Sequence, residues 1–259
     1  MIPFRRIINR CRRMVSQILD PLTRMRPKST YRLDSSLGLP ALLNAPLIAW
    51  LNYHAREVLG KQCYWLGHRA LKNPMDAWIY QEIIYEVKPD IIVEIGNKNG
   101  GSTLFLASIL EMLSHGKVLA VDLNHDRFTA SHSRIELITG DCSGEGIIGQ
   151  VKDRCEGKRV LIIHDADHRR DAVLRDLRNY APLVSPGSYF IVEDSIHGVP
   201  GFTLDPERSY GSFLLPETDT PLQGIEAFLR ETKSFYVDVS RERYILTANY
   251  RGFLRRVTE

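Results

Sequence analysis

Between positions 88 and 194 short apolar runs alternate with polar stretches, and several of the runs end on a carboxylate. Ile91-Ile92-Val93-Glu94-Ile95, 117–122, 134–139, 159–165 and 187–194 read as strands, most of them apolar at successive positions as burial on both faces requires. Over 169–183, Ala172, Val173, Leu177 and Tyr180 recur at helical spacing before Pro186-Gly187 stops the segment. Strand, helix, strand in succession predicts an α/β fold with a mostly parallel sheet and helices on both faces. Farther on, 223–232 reads as a helix with Ile225, Phe228 and Leu229 inward. The stretches 235–239 and 243–248 read as closing strands of a hairpin turned around Ser240-Arg241-Glu242.

The first strand opens into Gly96-Asn97-Lys98-Asn99-Gly100-Gly101-Ser102, a glycine-rich turn before a helix. Gly96 lets the backbone turn, and Gly100 and Gly101 remove β-carbons that would obstruct a ligand at the next helix. The spacing matches neither the phosphate loop with its Gly-Lys-Ser/Thr ending nor the G-x-G-x-x-G of dinucleotide sites. Glu94 at the strand end, accepting hydrogen bonds from the loop, suits a cation, which favours S-adenosylmethionine, a sulfonium. Asp122, ending the second strand, is placed to grip ribose hydroxyls, while Asp141 and Cys142, after the third, are placed to border adenine.

Ligands of open parallel sheets bind beyond the carboxyl ends of the strands, so Glu94, Asp122, Asp165, Glu193 and Asp194 crowd one rim. Five acids do not share a dry cleft unpaired. A sulfonium and ribose hydroxyls offset two, and an oxygen-liking divalent ion suits the remaining Asp165, Glu193 and Asp194. His164 falls on the sheet face opposite Asp165 and reads as structural, and Asp167 as helix N-terminal charge. The segment 196–222, rich in Gly, Pro and acids, reads as a lid over the acceptor, with His197 and Tyr210 as contacts.

Three acids in this order resemble the metal-binding set of class I magnesium-dependent O-methyltransferases. Trp65-Leu66-Gly67, Asn73-Pro74-Met75-Asp76, Tyr80-Gln81-Glu82-Ile83-Ile84, Lys88-Pro89-Asp90, Glu94-Ile95-Gly96 and Gly100-Gly101-Ser102 resemble the cephalosporin hydroxylase-like and rhamnosyl O-methyltransferase family. So do 180–189 and Val192-Glu193-Asp194. The resemblance implies a Rossmann-like class I methyltransferase sheet of seven strands, S-adenosylmethionine and Mg2+ as cofactors, a sugar hydroxyl as acceptor, and a homo-oligomer. Asp165-Ala166-Asp167-His168 is similar to the Asp-x-x-His of sugar O-methyltransferases, which implies that His168 is the general base. An alcohol is too weakly acidic to attack a methyl group unaided, so a cation and a base share that task.

Length suits one catalytic domain, 64–259, preceded by an N-terminal helix and arm, 1–63. Cys11, Cys63, Cys142 and Cys155 form no C-x-x-C pair and no zinc spacing, which suggests reduced thiols in the cytosol. A net charge of +3 is too balanced for a nucleic-acid partner, yet residues 1–30 hold eight Lys/Arg against one acid. There Phe4, Ile7, Ile8, Cys11, Met14, Val15, Ile18, Leu19 and Leu22 recur at helical spacing, the pattern of a basic amphipathic helix. Such a helix can rest on the inner membrane face through residues 1–28, which suits a lipid-linked sugar as well as a small-molecule acceptor, or can pack in an oligomer. Without a signal peptide or membrane span the chain is expected in the cytoplasm. Two other readings are a nicotinamide-dependent sugar oxidoreductase, disfavoured by the glycine spacing and the missing Tyr-x-x-x-Lys pair, and a non-catalytic S-adenosylmethionine-binding partner protein.

Overall fold

The structure, a computed structural model, describes residues 46–200, 202 and 219–258. The expected N-terminal amphipathic helix and Tyr210 lie outside the described residues. The chain divides into two compact units, Met1–Ala49 and Trp50–Glu259, and the account below concerns the second.

Helix α1 (Leu47–Tyr53) continues into a π-helical stretch, His54–Leu59, and a last helical turn, α2 (Gly60–Gln62). A small hairpin of β1 (Tyr64–Trp65) and β2 (His68–Arg69) leads to α3 (Pro74–Val87), which opens with Asn73 accepting from the Met75 amide and Pro74 in the first turn. Then follow β3 (Ile91–Ile95), α4 (Gly101–Met112), β4 (Lys117–Asp122), β5 (Ile135–Thr139), α5 (Glu145–Cys155), β6 (Val160–His164), α6 (Arg170–Tyr180) and β7 (Tyr189–Val192). Helix α7 (Pro221–Glu231), begun by a Thr220–Gln223 capping box, and strands β8 (Phe235–Val237) and β9 (Phe253–Arg256) complete the chain.

Seven strands form one sheet in the order β5-β4-β3-β6-β7-β9-β8. The first five are parallel, and β9 runs antiparallel to both β7 and β8. The expected hairpin is present, but its second strand is 253–256 rather than 243–248. Phe253 and Leu254 are fully buried and fill both faces, whereas Tyr244 and Ile245 are exposed and Ile245 takes a left-handed φ of 64° that no strand accommodates.

Successive strand residues feed opposite cores, as burial on both faces requires. Ile91, Val93, Ile95, Val160, Ile162, Phe190 and Val192 meet α5, α6 and α7 through Val151, Val173, Leu177, Tyr180, Ile225 and Phe228. Ile92, Leu161, Ile163, Tyr189, Ile191 and Phe253 meet α3 and α4 through Ile79, Ile83, Leu106 and Leu110. This register decides where the strand-end acids point. Glu94, Asp165 and Glu193 continue the α3/α4 face of three adjacent strands, and His164 falls on the α6 face, where its Nε2 lies 2.9 Å from Asp176 Oδ2. Among the described residues no helix is long and apolar enough to cross a membrane.

Candidate active site

After β3, β4 and β5 the chain has laid strands on one side of β3, and β6 then opens the other side, so the sheet has its switch point between β3 and β6. A cavity of about 670 Å³ opens there, beyond the carboxyl ends of the strands. Its walls come from the loop after β3 (Gly96, Asn97), the end of β4 (Asp122), the turn after β5 (Asp141, Cys142) and the loops after β6 and β7 (Asp165, His168, Asp194). Leu51, His54 and Leu59, from the stretch expected to be an N-terminal arm, also line it. The π-helical register there widens the helix and turns a different set of side chains inward than an α-helix does.

On the β3–β5 side the geometry is made by backbone. Asp122 Oδ2 accepts from the amides of Asn97 (2.7 Å) and Lys98 (2.9 Å), which shapes the glycine loop while the residue faces the cavity. Asp141 accepts from the amide and hydroxyl of Ser143, both at 2.8 Å, and this holds its carboxyl below the usual range. Cys142 donates to Asp176, and burial pushes its thiol up to about 12.

The glycines act differently from expectation. Gly96, at φ 90°, lets the loop pass against Asp165, whose carbonyl oxygen a β-carbon would overlap. Gly100 and Gly101 are not in the cavity wall; added β-carbons there would strike the Phe128 ring and the Arg69 backbone, so these two serve packing around the start of α4. Ser102 does reach the wall. Glu94 does not: fully buried, it accepts from Asn97 Nδ2 (2.8 Å) and the Thr103 hydroxyl, and burial raises its pKa. It braces the loop from below, behind the cavity wall.

On the β6–β7 side the geometry is made by side chains from distant segments. One donor atom from each of Asp165, His168 and Asp194 lies within 4.8 Å of the others. His168 Nε2 is 3.4 Å from Asp165 Oδ1 and 3.2 Å from Asp194 Oδ2. Asp194 reaches the cluster because its backbone is left-handed, φ 56°, an arrangement that costs about 1 kcal/mol outside glycine and turns the side chain back from the face strand alternation would assign it. Asn249 Oδ1 accepts from the Asp194 amide and helps fix that turn.

Glu193, expected with Asp165 and Asp194 as a metal ligand, is not in the Asp165–His168–Asp194 cluster and instead shares Lys72 with Asp165. It is buried, its Oε2 lies 2.5 Å from Lys72 Nζ, and its Oε1 accepts from the Tyr80 hydroxyl at 2.9 Å. Lys72 also donates to Asp165 Oδ2 at 2.6 Å. Strand alternation sends Glu193, after Tyr189 and Ile191, toward α3, and Lys72 stands just before the Asn73 cap of that helix. Sequence reasoning passed over Lys72, although a rim of five acids demanded a cation and Leu71-Lys72-Asn73-Pro74 offered one between apolar neighbours and a helix cap.

Electrostatics follow from these contacts. Burial pulls Lys72 down, but Asp165, Glu193 and Glu94 outweigh it and hold the ammonium well above the ordinary lysine range. Burial opposes ionisation of Asp165, yet Lys72 and His168 hold it below the usual carboxylate range. Burial, aided by the neighbouring Asp165 charge, pushes Glu193 up against the pull of Lys72. Against its own burial, His168 is raised to about 10 by Asp165 and Asp194. His197 also lines the cavity; its ring centroid is 6.5 Å from that of His168 and 5.3 Å from that of Phe202, and burial lowers its pKa.

The chain matches the family model described as Rhamnosyl O-methyltransferase/CmcI over residues 58–257. It is 34% identical over 200 residues to a rhamnosyl O-methyltransferase of Mycobacterium leprae, covering 74% of this chain and 82% of that one. It is 31% identical over 213 residues to a rhamnosyl O-methyltransferase of Mycobacterium tuberculosis strain H37Rv, covering 79% and 82%. A CmcI structure with Mg and SAM superposes with a TM-score of 0.57 at 22% identity, over 90% of this chain and 88% of that one, which shows a shared fold. The chain belongs to the rhamnosyl O-methyltransferase/CmcI family.

Proposed function

We propose that this O-methyltransferase moves the methyl group of S-adenosylmethionine to a sugar hydroxyl, with Mg2+ or a similar divalent cation held by Asp165 and Asp194. The observation that carries the reading is the convergence of Asp165, His168 and Asp194 on one wall of the switch-point cavity. Carboxylate oxygens suit a hard divalent ion, and a cavity of this size suits a cofactor together with part of an acceptor. Asp122 would take the ribose hydroxyls, Asp141 and Cys142 would border adenine, and Gly96 lets the loop run close beneath the cofactor. The ion supplies Lewis acidity that lowers the pKa of an acceptor hydroxyl.

His168 is the proton acceptor in this reading. Asp165 and Asp194 hold a proton on its imidazole, and a cation on the same two carboxylates would weaken that hold and leave the ring free to accept the acceptor's proton. The acceptor lies on the side of His197 and Phe202, and the names of the mycobacterial relatives support a rhamnosyl-type sugar, free or lipid-linked. Family membership sets aside the nicotinamide reading.

The test is release of S-adenosylhomocysteine from S-adenosylmethionine with a panel of rhamnosides and other sugars. Acceptor-dependent release, abolished by a chelator and restored by Mg2+, is expected. Release unchanged by the chelator removes the ion from the scheme, and no acceptor-dependent release with any sugar removes the acceptor class. For a lipid-linked acceptor, full-length chain co-sediments with anionic vesicles at moderate salt and a chain lacking residues 1–28 does not; equal sedimentation rejects the membrane contact.

A further inference from the structure

Helix α6 buries Ala172, Val173, Leu177 and Tyr180, and an acid, Asp176, stands fully buried in the middle of that apolar stripe. A carboxylate in such a place is costly unless donors satisfy it, and an apolar residue there would continue the stripe with no need of them. Asp176 has three partners. His164 Nε2 lies 2.9 Å from its Oδ2, Arg175 Nε donates to its Oδ1 at 2.8 Å, and the Cys142 thiol donates to its Oδ2 at 3.6 Å. Cys142 and Arg175 line the cavity, whereas Asp176 and His164 stand behind its wall. Cys142 is gripped a second time by the Tyr180 hydroxyl, which donates to its carbonyl at 2.6 Å from one turn farther along α6. Asp141, the residue before it, is closed into a turn by the amide and hydroxyl of Ser143. Two side chains of α6 therefore hold the 141–143 turn from behind, and one of them also anchors the guanidinium of Arg175.

We infer that Asp176 is a positioning residue for the adenine base of the cofactor: acting through Cys142 and Arg175, it fixes the 141–143 turn in the one placement that selects adenine over other purines. The inference rests on the reading that Asp141 and Cys142 border adenine. Adenine offers a donor at its 6-amino group and an acceptor at N1, and hypoxanthine offers the reverse. A turn held rigidly against that edge leaves buried groups unpaired with the wrong base, while a loose turn adjusts to either. Asp176 itself stays out of contact with the base.

The experiment measures, by calorimetry on the full-length protein, the dissociation constants of S-adenosylhomocysteine and of S-inosylhomocysteine, in which an oxygen replaces the 6-amino group. Wild type is expected to prefer the adenine compound at least about tenfold. Asp176→Asn keeps the shape but offers one acceptor oxygen to three partners, and its preference should fall to within about threefold of none. Tyr180→Phe keeps the ring in the core and loses only the grip on the Cys142 carbonyl; it should lower the preference at least about threefold, and it decides the matter if Asp176→Asn does not fold. Leu177→Ala, a cavity in the same helix, should lower the melting temperature with the preference unchanged, which is the signature of a merely structural role. An unchanged preference in folded Asp176→Asn or in Tyr180→Phe overturns the inference, even where both compounds bind more weakly. Wild type that binds both compounds equally overturns the adenine reading of Asp141 and Cys142 and this inference with it, and leaves methyl transfer standing. Wild type that binds neither overturns the cofactor reading as well.

Discussion

The two halves of the cavity rim are built in opposite ways. Beyond β3, β4 and β5 the shape comes from backbone: a glycine turn, two amides on Asp122, a tight turn on Asp141, all among residues close in sequence or on adjacent strands. Beyond β6 and β7 it comes from side chains of residues 72, 80, 165, 168, 193, 194 and 249, brought together by the sheet and tied by charge. The contrast teaches a division of labour. In the function proposed above, the backbone-built half would hold the cofactor, and the charge-built half would serve the reacting hydroxyl.

That division can be broken by mutation, and the largest effect belongs to the β6–β7 side. Asp165→Asn removes the carboxylate shared by Lys72 and His168, and turnover should fall about 10³-fold, in the range for loss of an electrostatic element of a reacting site. S-adenosylhomocysteine affinity by calorimetry should change little; if it falls as far as turnover, the two halves are not separate. His168→Gln should lower kcat about 10²-fold and leave the acceptor KM nearly constant, as removal of a general base does. A KM effect with kcat intact would make His168 an acceptor contact.

On the β3–β5 side, Asp122→Ala should raise the dissociation constant of S-adenosylhomocysteine about tenfold, since hydrogen bonds to a charged group are worth about 1.5–3 kcal/mol. Its kcat at saturating cofactor should stay close to wild type; a large loss in kcat would place Asp122 in the reacting half.

The smallest effect concerns the brace between the start of α3 and the loop holding Thr247 and Ala248. Asp76 is buried and accepts from Thr247 (2.6 Å), Ala248 (2.8 Å) and Asn73 (3.1 Å), linking the start of α3 to the loop that lines the cavity. Burial pushes its carboxyl up to about 7 despite those three donors. A folded-state pKa above the unfolded one favours the protonated form in the native protein, so this stabilisation is complete below the ordinary aspartate range and is lost as pH rises through about 7. Urea unfolding should show about 1 kcal/mol lost between pH 6 and pH 8. Asp76→Asn should flatten that slope, and an unchanged slope would assign it to other groups.

Much of the β3–β5 half was legible in the sequence. Glycines, strand-end acids and turn residues act within a few positions of where they stand, and Asp122, Asp141 and Cys142 line the cavity as their spacing suggests. Gly100 and Gly101 sit in the glycine loop but off the cavity wall, where a β-carbon would meet Phe128 or Arg69, and Glu94 is buried beneath it. The other half was legible only as a list of acids. Glu193 and Asp194 are adjacent in sequence, yet one turns to Lys72 and Tyr80 and the other, through a left-handed backbone, to His168.

The sequence by itself determined the parallel sheet, its burial on both faces, the place of the glycine loop at the cavity and the family, because these follow from apolar periodicity and short motifs that need no distant partner. Only the tertiary structure decided which acids face the cavity, that Lys72 stands among them, that 253–256 closes the sheet, and that residues 51–59 form a wall. Each of those depends on which strand lies beside which and on the face a side chain inherits from strand register, and a linear pattern does not encode either until the chain has packed.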